Sequence, residues 1–315
     1  MKKVPFTYED CKVKDDDGEY VRVKPGNFLL PATIRDYGEE IYNMELREGD
    51  VILLSWPKTG THWCSELIWN ICNDMNIEEA KSKSMLDRWR FIDVPSDKKK
   101  HVCALELTDK PMGRIEKLLD VEGPRYIISH LPLSLFPPDT LDKCKVVYVT
   151  RNPMDTIVSL YRFLELRPDE NTDFPTFVNN FMHDEVVFSP YWEHVGEAWK
   201  LKEHSNLFFL TFEEMKKDLR ATIKNVAKFF NKEFSIEQID TLVDHLSFEN
   251  MQSNKSVNAE YLNKTGKIKQ GGQFIRKGAV GDFKNSFTPA MQSQMKNWIQ
   301  TNNRGCDIKF QGVAM

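Results

Sequence analysis

The sequence has no long apolar run, no closely spaced cysteine pair and no strong excess of charge of either sign. Its six cysteines are scattered over 315 residues without CxxC spacing, which is typical of reduced packing residues rather than of a disulfide framework. No stretch approaches the ~20 apolar residues of a membrane span, and the first residues contain no apolar segment of the signal-peptide type. These absences predict a cytoplasmic protein without a membrane partner.

The overall charge balance shows that this protein is not strongly basic. Net charge is −4, and 29% of residues are charged, so the whole-chain composition does not predict a nucleic-acid partner. Hydrophobic residues make up 41% of the chain, which is enough for one large core, and no linker-like composition divides the sequence. We therefore expect a single domain over residues 31–315, preceded by a polar and partly mobile arm over residues 1–30.

Short apolar runs alternate with segments of helical periodicity. The runs at Val51–Leu54, Arg125–Ser129, Lys145–Thr150 and 206–211 are typical of buried parallel strands. Helices are predicted over residues 31–43, 61–74, 153–166, 174–182, 190–203, 221–230, 235–246 and 289–300. This order predicts an α/β fold: a parallel sheet with helices on both faces and ligands at the carboxyl ends of the strands.

The stretch from Leu54 to Trp63 joins the first predicted strand to a helix through Lys58 and Gly60. A tight turn into a helix N-terminus presents free backbone N–H groups and the positive end of the helix dipole, and Lys58 adds a full charge. This pattern predicts a P-loop-like site for a phosphate-like anion. Because the lysine precedes the glycine, the Walker order GxxxxGK[ST] is absent, which disfavours a nucleotide kinase.

Three further stretches complete a family pattern: Ser129–Pro132, Arg151–Ser159 and Arg276–Thr288. Together with the Lys58 loop they occur in the order and spacing found in the cytosolic sulfotransferases, whose donor is 3′-phosphoadenosine 5′-phosphosulfate (PAPS). The chain resembles this family from about residue 25 to about residue 300. The motifs are highly specific in combination, although each alone is weak.

The resemblance implies which residues contact the donor. Lys58 reaches the oxygen that bridges phosphate and sulfate, and the loop after it holds the 5′-phosphate. Arg151, Ser159 and the Arg276–Gly278 segment hold the 3′-phosphate, and aromatic side chains hold the adenine. The implied donor-binding residues are Lys58, Thr59, Gly60, Thr61, His62, Trp63, Arg151, Ser159, Phe212, Ser247, Phe248, Phe274, Ile275, Arg276, Lys277 and Gly278. No metal is implied, and the histidines lack HExxH spacing.

The same resemblance implies the chemistry. His130 is the expected general base, since an imidazole titrating near neutrality can take a hydroxyl proton. Lys58 and Ser159 complete the expected catalytic set, and adenosine 3′,5′-bisphosphate (PAP) is the product. An apolar pocket is expected for a small hydrophobic acceptor with a hydroxyl or amine group, such as a phenol, alcohol or sterol. Its predicted lining is Phe28, Phe91, His130, Phe163, Tyr191 and Trp192.

The sequence departs from the family pattern at several positions. Ile128 stands two residues before the histidine, where the family commonly has a lysine that assists the sulfuryl group. Two alternatives stay open: a PAPS- or PAP-binding protein of low activity, which Ile128 favours, and a dehydratase that sulfates an alcohol and then eliminates sulfate, which needs only an acceptor with a labile allylic alcohol. The other changes are Phe212 for Tyr, Leu246 for Thr, Phe283 for Trp, and a dimer motif altered around Lys284, Thr288, Pro289 and Ser293, which leaves a homodimer open.

We expect Ile128→Lys to increase the rate of sulfuryl transfer. A missing cation beside the reacting group costs ~10²-fold in rate where electrostatic stabilisation dominates. The rate is measured with labelled PAPS over a panel of phenols, alcohols and sterols, and Ile128→Met is the control for a change in shape without charge. Equal rates for the wild type, Ile128→Met and Ile128→Lys would show that this position does not limit catalysis.

Overall fold

The computed structural model describes residues 3–13, 18–93, 118, 121–168, 171–264, 269 and 271–310, apart from the side chains at 261 and 264. Cys103 lies outside these ranges, and the five described cysteines are free thiols.

Eight strands are described in the structure: β1 (Thr7–Cys11), β2 (Tyr20–Lys24), β3 (Phe28–Pro31), β4 (Val51–Ser55), β5 (Arg90–Phe91), β6 (Tyr126–Ser129), β7 (Lys145–Thr150) and β8 (Leu207–Thr211). The described α-helices are α1 (Ile34–Tyr42), α2 (Thr61–Cys72), α3 (Ile77–Ser82), α4 (Met85–Arg88), α5 (Thr140–Lys143), α6 (Pro153–Leu164), α7 (Phe174–Met182), α8 (Tyr191–Lys200), α9 (Phe212–Lys217), α10 (Leu219–Phe229), α11 (Ile236–His245), α12 (Phe248–Ser253) and α13 (Pro289–Asn302). Short 3₁₀ helices occur at Leu133–Leu135, Glu260–Lys264 and Asp282–Asn285.

The central sheet has five parallel strands in the order β5-β6-β4-β7-β8. Strand β4 lies in the middle, and all five of its residues are buried. Ile52 and Leu54 belong to one apolar cluster and Val51 and Leu53 to another. Because successive strand residues point to opposite faces, both faces of the sheet are covered. This confirms the predicted α/β architecture.

Local sequence signals explain where several helices begin. The Asn152 side chain accepts a hydrogen bond from the N–H of Met154, with Pro153 in the first turn of α6. Ser235 and Gln238 form the predicted capping box of α11. Thr288 caps α13. These caps match the predicted helix starts. Each cap involves residues only a few positions apart in the chain, so the local sequence is enough to predict it.

The segment over residues 1–30, which the sequence predicts to be a polar and partly mobile arm, forms strands where it is described. Residues 14–17 and the first two lie outside the described ranges, but β1, β2 and β3 form a three-stranded antiparallel sheet. Val21 and Leu30 are fully buried in the larger apolar cluster. The described part of the segment therefore packs against the domain, because alternate apolar residues among the polar ones face one side.

Within the described ranges, no helix combines the length and apolarity needed to cross a membrane.

We expect Leu30→Ala to lower the free energy of unfolding by about 2–5 kcal/mol, because it removes buried methyl groups and leaves a cavity. Urea denaturation followed by circular dichroism measures the change. Glu9→Ala, on the exposed side of β1, is the control and should change stability by less than about 0.5 kcal/mol. A Leu30→Ala protein as stable as the control would contradict the packed position of β3.

Candidate functional site

The site lies where four parallel strands end side by side. In the registers of the sheet, Leu54 pairs with Ser129, Ser55 with Val149, and Thr150 with Thr211. The residues that follow these strand ends are the Lys58 loop, His130, Arg151 and Phe212. Parallel pairing therefore brings four segments that are far apart in sequence to one edge of the sheet.

The loop between β4 and α2 has the backbone of a tight anion-binding turn. Lys58 has φ +66° and Gly60 has φ +112°. A Cβ at Gly60 would lie 2.9 Å from the Phe212 ring, so this position requires glycine for both conformation and space. The Thr59 hydroxyl donates to the carbonyls of Trp56 (2.7 Å) and Val149 (3.0 Å) and fixes the turn to the sheet. The first N–H groups of α2 are left for a ligand.

The Lys58 ammonium group lies between two aromatic rings. Its Nζ is 4.2 Å from the ring centre of Phe163 and 3.7 Å from that of Phe274, so both rings provide cation–π contact. Burial is the main cause that lowers the pKa of Lys58 to about 7, and the charges of Arg151 and Arg276 lower it further. An anion bound here would relieve this repulsion.

Arg151 is held as a nearly buried cation. Its guanidinium donates to the carbonyl of Ala279 at 2.8 Å and lies 4.3 Å from the ring centre of Phe212. The Nε atom is buried and has no hydrogen-bond partner among the described residues. The Tyr191 hydroxyl donates to the Arg151 carbonyl and contacts the Thr150 hydroxyl at 2.9 Å. An oxyanion would satisfy the unpaired donor, so this residue fits a phosphate ligand.

The basic segment around Arg276 reaches the same cleft. Arg276 and Lys277 both pair with Asp282, at 2.5 Å and 2.7 Å. Burial raises the pKa of Asp282, but the hydrogen bonds from Lys277 and Arg276 outweigh burial and hold the pKa well below its usual range. Asp155 of α6 accepts the N–H groups of Gly281 (2.7 Å) and Phe283 (2.9 Å). This carboxylate thereby anchors the segment to the first turn of α6.

Aromatic side chains form the adjoining part of the cleft. Trp63 packs edge-on against Phe212 with ring centres 5.4 Å apart, and its Nε1 donates to the Leu246 carbonyl at 2.9 Å. A Cβ at Gly278, which has φ +57°, would lie 2.6 Å from the Phe248 ring. The close approach of these groups leaves flat apolar surfaces that suit a purine base.

His130 follows β6 and is 6% exposed. Its Nδ1 lies 2.8 Å from the Ser55 carbonyl oxygen, which can only accept, so Nδ1 carries the proton and Nε2 keeps its lone pair. The rings of Phe91 and Phe188 flank the imidazole edge-on. Burial lowers the pKa of His130 to about 3 against the opposing hydrogen bond to Ser55, and the nearby His194, His62 and Lys58 lower it further. The imidazole is therefore neutral over the usual pH range.

One cleft contains most of the predicted site residues. Those lining it are Lys58, Gly60, Thr61, His62, Trp63, Phe91, His130, Arg151, Ser159, Phe163, Phe212, Phe248, Phe274, Ile275, Arg276, Lys277 and Gly278. Ile128 also lines the cleft, as an apolar wall beside His130.

Five predicted site residues are placed differently. Phe28, Tyr191 and Trp192 are buried in the main apolar cluster and are not among the residues that line the cleft, so their place in the acceptor pocket stays a prediction. The Thr59 hydroxyl is used by the backbone of the turn, and the Ser247 hydroxyl caps α12. These five residues lie in elements that support the cleft. Position in the sequence alone does not distinguish a supporting residue from one that lines the cleft.

The cleft also contains apolar residues that the sequence did not predict: Met85, Leu86, Met251, Ala259 and Leu262. Met85, Leu86 and Met251 come from short helices, Leu262 comes from the 3₁₀ helix at Glu260–Lys264, and Ala259 directly precedes it. Asp155 and Ser55 were missed as supporting residues, and the only sequence signal was their position beside the motifs. Among the described residues, no group of three or more His, Cys, Asp or Glu side chains could hold a metal ion.

We expect PAP to bind more weakly as pH rises from 7 to 9. The pKa of Lys58 in the free protein is about 7, and bound phosphates raise it, so binding above pH 7 takes up a proton. The dissociation constant should rise by up to about tenfold per pH unit in this window. The pKa values of His62 (about 4) and His130 (about 3) lie below this pH window, so these two groups do not titrate within it.

Calorimetry in buffers of different ionisation enthalpy measures both the affinity and the proton uptake. Lys58→Ala should bind PAP weakly and without this slope. A slope that survives in Lys58→Ala would assign the titration to another group.

Comparisons with known proteins agree with this geometry. The family model for the sulfotransferase domain matches residues 48–307. The luciferin sulfotransferase of Photinus pyralis is 31% identical over 306 residues, covering 94% of this chain and 83% of that protein. Sulfotransferase 1E1 of Bos taurus is 31% identical over 280 residues, covering 86% and 90%. A crystal structure of retinol dehydratase with retinol and PAP superposes with a TM-score of 0.87 at 30% identity, covering 97% of this chain and 99% of that one. The chain thus belongs to the sulfotransferase family.

Proposed function

We propose that this PAPS-dependent sulfotransferase transfers a sulfuryl group to a hydroxyl, or an amine, of a small hydrophobic acceptor, with His130 as the general base. The observation that carries the proposal is the convergence of His130, Lys58, Arg151 and Arg276 on one cleft. A donor with phosphates at both ends of its ribose needs separated cations, and transfer needs a neutral base beside them.

The donor-binding residues divide by charge and shape. The first N–H groups of α2 and Lys58 suit the 5′-phosphate, while Arg151 with its unpaired Nε and the Arg276–Gly278 segment suit the 3′-phosphate. Trp63 and Phe248 suit the adenine. Ser159 lines the cleft on the same helix as Phe163 and is proposed as a further contact of the 3′-phosphate.

His130 is proposed to take the acceptor proton at Nε2. As the acceptor oxygen forms its bond to sulfur, the bond from sulfur to the 5′-phosphate oxygen breaks, and PAP leaves with the bonding electrons. Lys58 stabilises the negative charge on that leaving oxygen. The nearby donor charge raises the pKa of His130 from its low value in the free protein, which strengthens it as a base.

The acceptor is proposed to be uncharged and apolar around its reacting group. Phe91, Ile128 and Phe163 line the cleft together with His130, and these walls favour a phenol, an alcohol or a sterol over a carbohydrate. A homodimer and a cytoplasmic location stay predictions.

Two other outcomes have specific support. Ile128, which is fully buried, gives no charge to the sulfuryl group, and this favours a PAPS-binding protein of low activity. The similarity to retinol dehydratase favours sulfation followed by elimination. Mass spectrometry of the product with an allylic alcohol separates these outcomes, since elimination gives a dehydrated product, transfer gives a sulfate ester, and a binding protein gives neither.

We expect His130→Ala to lose about 10²- to 10⁴-fold in transfer rate, because it removes the base. Lys58→Ala should lose about 10²-fold, because it removes charge from the leaving oxygen. Transfer is measured with labelled PAPS over a panel of phenols, alcohols and sterols. The exposed His183 and Lys224 supply the matched controls His183→Ala and Lys224→Ala, which should keep wild-type rates. A His130→Ala protein with nearly full activity would refute the base assignment.

A further inference from the structure

A buried carboxylate that lies outside the family motifs contacts the backbone of the proposed base. Asp93 follows the short edge strand β5, which pairs in parallel with β6 through Phe91 and Ile128. The N–H of Ile92 donates to the Ile128 carbonyl at 3.2 Å and extends this pairing by one residue. Asp93 therefore lies alongside the end of β6, next to Ser129 and His130.

The Asp93 carboxylate accepts two hydrogen bonds from that strand end. Its Oδ1 accepts from the Ser129 hydroxyl and its Oδ2 accepts from the His130 N–H. The Ser129 oxygen in turn accepts the N–H of Leu131 at 3.0 Å. The Tyr37 hydroxyl donates to the Asp93 carbonyl at 2.6 Å and holds the residue from the side of α1. Asp93 is 8% exposed, so water does not compete freely for these contacts.

These contacts complete the support of His130. Asp93 accepts the N–H of His130, and His194 Nε2 donates to the carbonyl of His130 at 2.8 Å. The Ser55 carbonyl binds Nδ1 of the ring. The Tyr148 hydroxyl donates to His194 Nδ1 at 2.7 Å, which keeps the proton of His194 on Nε2. The backbone N–H and carbonyl of His130 and the Nδ1 atom of its ring are all hydrogen-bonded. These contacts fix the orientation of the ring and thus the direction in which Nε2 points.

Burial shifts the pKa of Asp93 and the pKa of His130 in the directions that favour their neutral forms. Burial raises the pKa of Asp93 to about 7, against the opposing hydrogen bonds from Ser129 and His130. The titratable groups that act on His130 itself are His194, His62 and Lys58, and all of them disfavour its cationic form. Asp93 therefore supports His130 through its hydrogen bonds to the end of β6.

We propose that Asp93 is the positioning residue of this sulfotransferase, which holds the end of β6 so that His130 Nε2 faces the acceptor. This proposal rests on the proposed role of His130 as the base. It assigns to Asp93 an effect on the rate of transfer but not on the binding of the donor, because Asp93 contacts the base side of the cleft and none of the proposed phosphate-binding residues.

The experiment compares Asp93→Ala, Asp93→Asn and Asp50→Asn in the full chain. Asp50 is a matched control, because it is a buried carboxylate that pairs with Arg125 and accepts the N–H of Arg47. It precedes β4, at the amino end of the strand, whereas the cleft lies at the carboxyl ends. Three quantities are measured: kcat with labelled PAPS and the best phenol or alcohol of a panel, the dissociation constant of PAP, and the nitrogen resonances of the His130 ring by NMR.

We expect Asp93→Ala to lower kcat by about 10²-fold, as a displaced catalytic group does, with PAP affinity unchanged. Asp93→Asn keeps an oxygen for the His130 N–H and an amide donor for the Ser129 oxygen, so it should recover about tenfold of that loss. The His130 ring should show one tautomer, with the proton on Nδ1, in the wild type and in Asp93→Asn, and a mixture in Asp93→Ala. Asp50→Asn should lose stability but keep wild-type kcat and the single tautomer.

The proposal is overturned if Asp93→Ala keeps wild-type kcat, or if its loss of rate is matched by a loss of PAP affinity. It is also overturned if Asp50→Asn lowers kcat as much, since the effect would then be general destabilisation. If the wild type turns over no acceptor, the proposed function fails, and the tautomer of His130 in Asp93→Ala still decides whether Asp93 positions the ring.

Discussion

Repulsion between cations that share one desolvated cleft is the constraint on which the site depends. Lys58, Arg151 and Arg276 come from three separate segments, and the parallel register of the central sheet brings the first two to neighbouring strand ends. Burial lowers the pKa of Lys58 most, and the charges of Arg151 and Arg276 lower it further. Such a cluster is stable in a folded protein only when aromatic faces and a carboxylate partly balance it, which Phe163, Phe274 and Asp282 do here.

The cleft has a charged part and an apolar part, and different strands supply each part. The ends of β4 and β7 supply the charged part, while β5 and β6 supply an apolar wall with one neutral imidazole. A low dielectric strengthens each electrostatic contact to a bound anion and also keeps His130 unprotonated. One desolvated space therefore serves binding of a charged donor and proton removal from an uncharged acceptor, although these tasks place opposite demands on nearby groups.

Sequence reasoning predicted the features that depend on neighbours in the chain. The strands around Val51 and Lys145, the cap at Asn152 and the capping box at Ser235 all match, because apolar runs and caps act over a few residues. The motifs likewise marked the Lys58 loop and His130, which line one cleft. The sheet over residues 7–31 was missed, since its burial depends on a partner surface far away in sequence. Phe28, Tyr191 and Trp192 do not line the cleft, and Asp93 belongs to no recognised motif.

Asp282 has a consequence for which molecules this cleft can retain. In the free protein its single carboxylate pairs with both Arg276 and Lys277 and leaves one net positive charge, so an incoming anion must compete with this internal counter-ion for the two cations. A singly charged group gains little by that exchange, whereas a dianion brings more charge than it displaces. We therefore expect the segment to favour a phosphate dianion over a singly charged carboxylate.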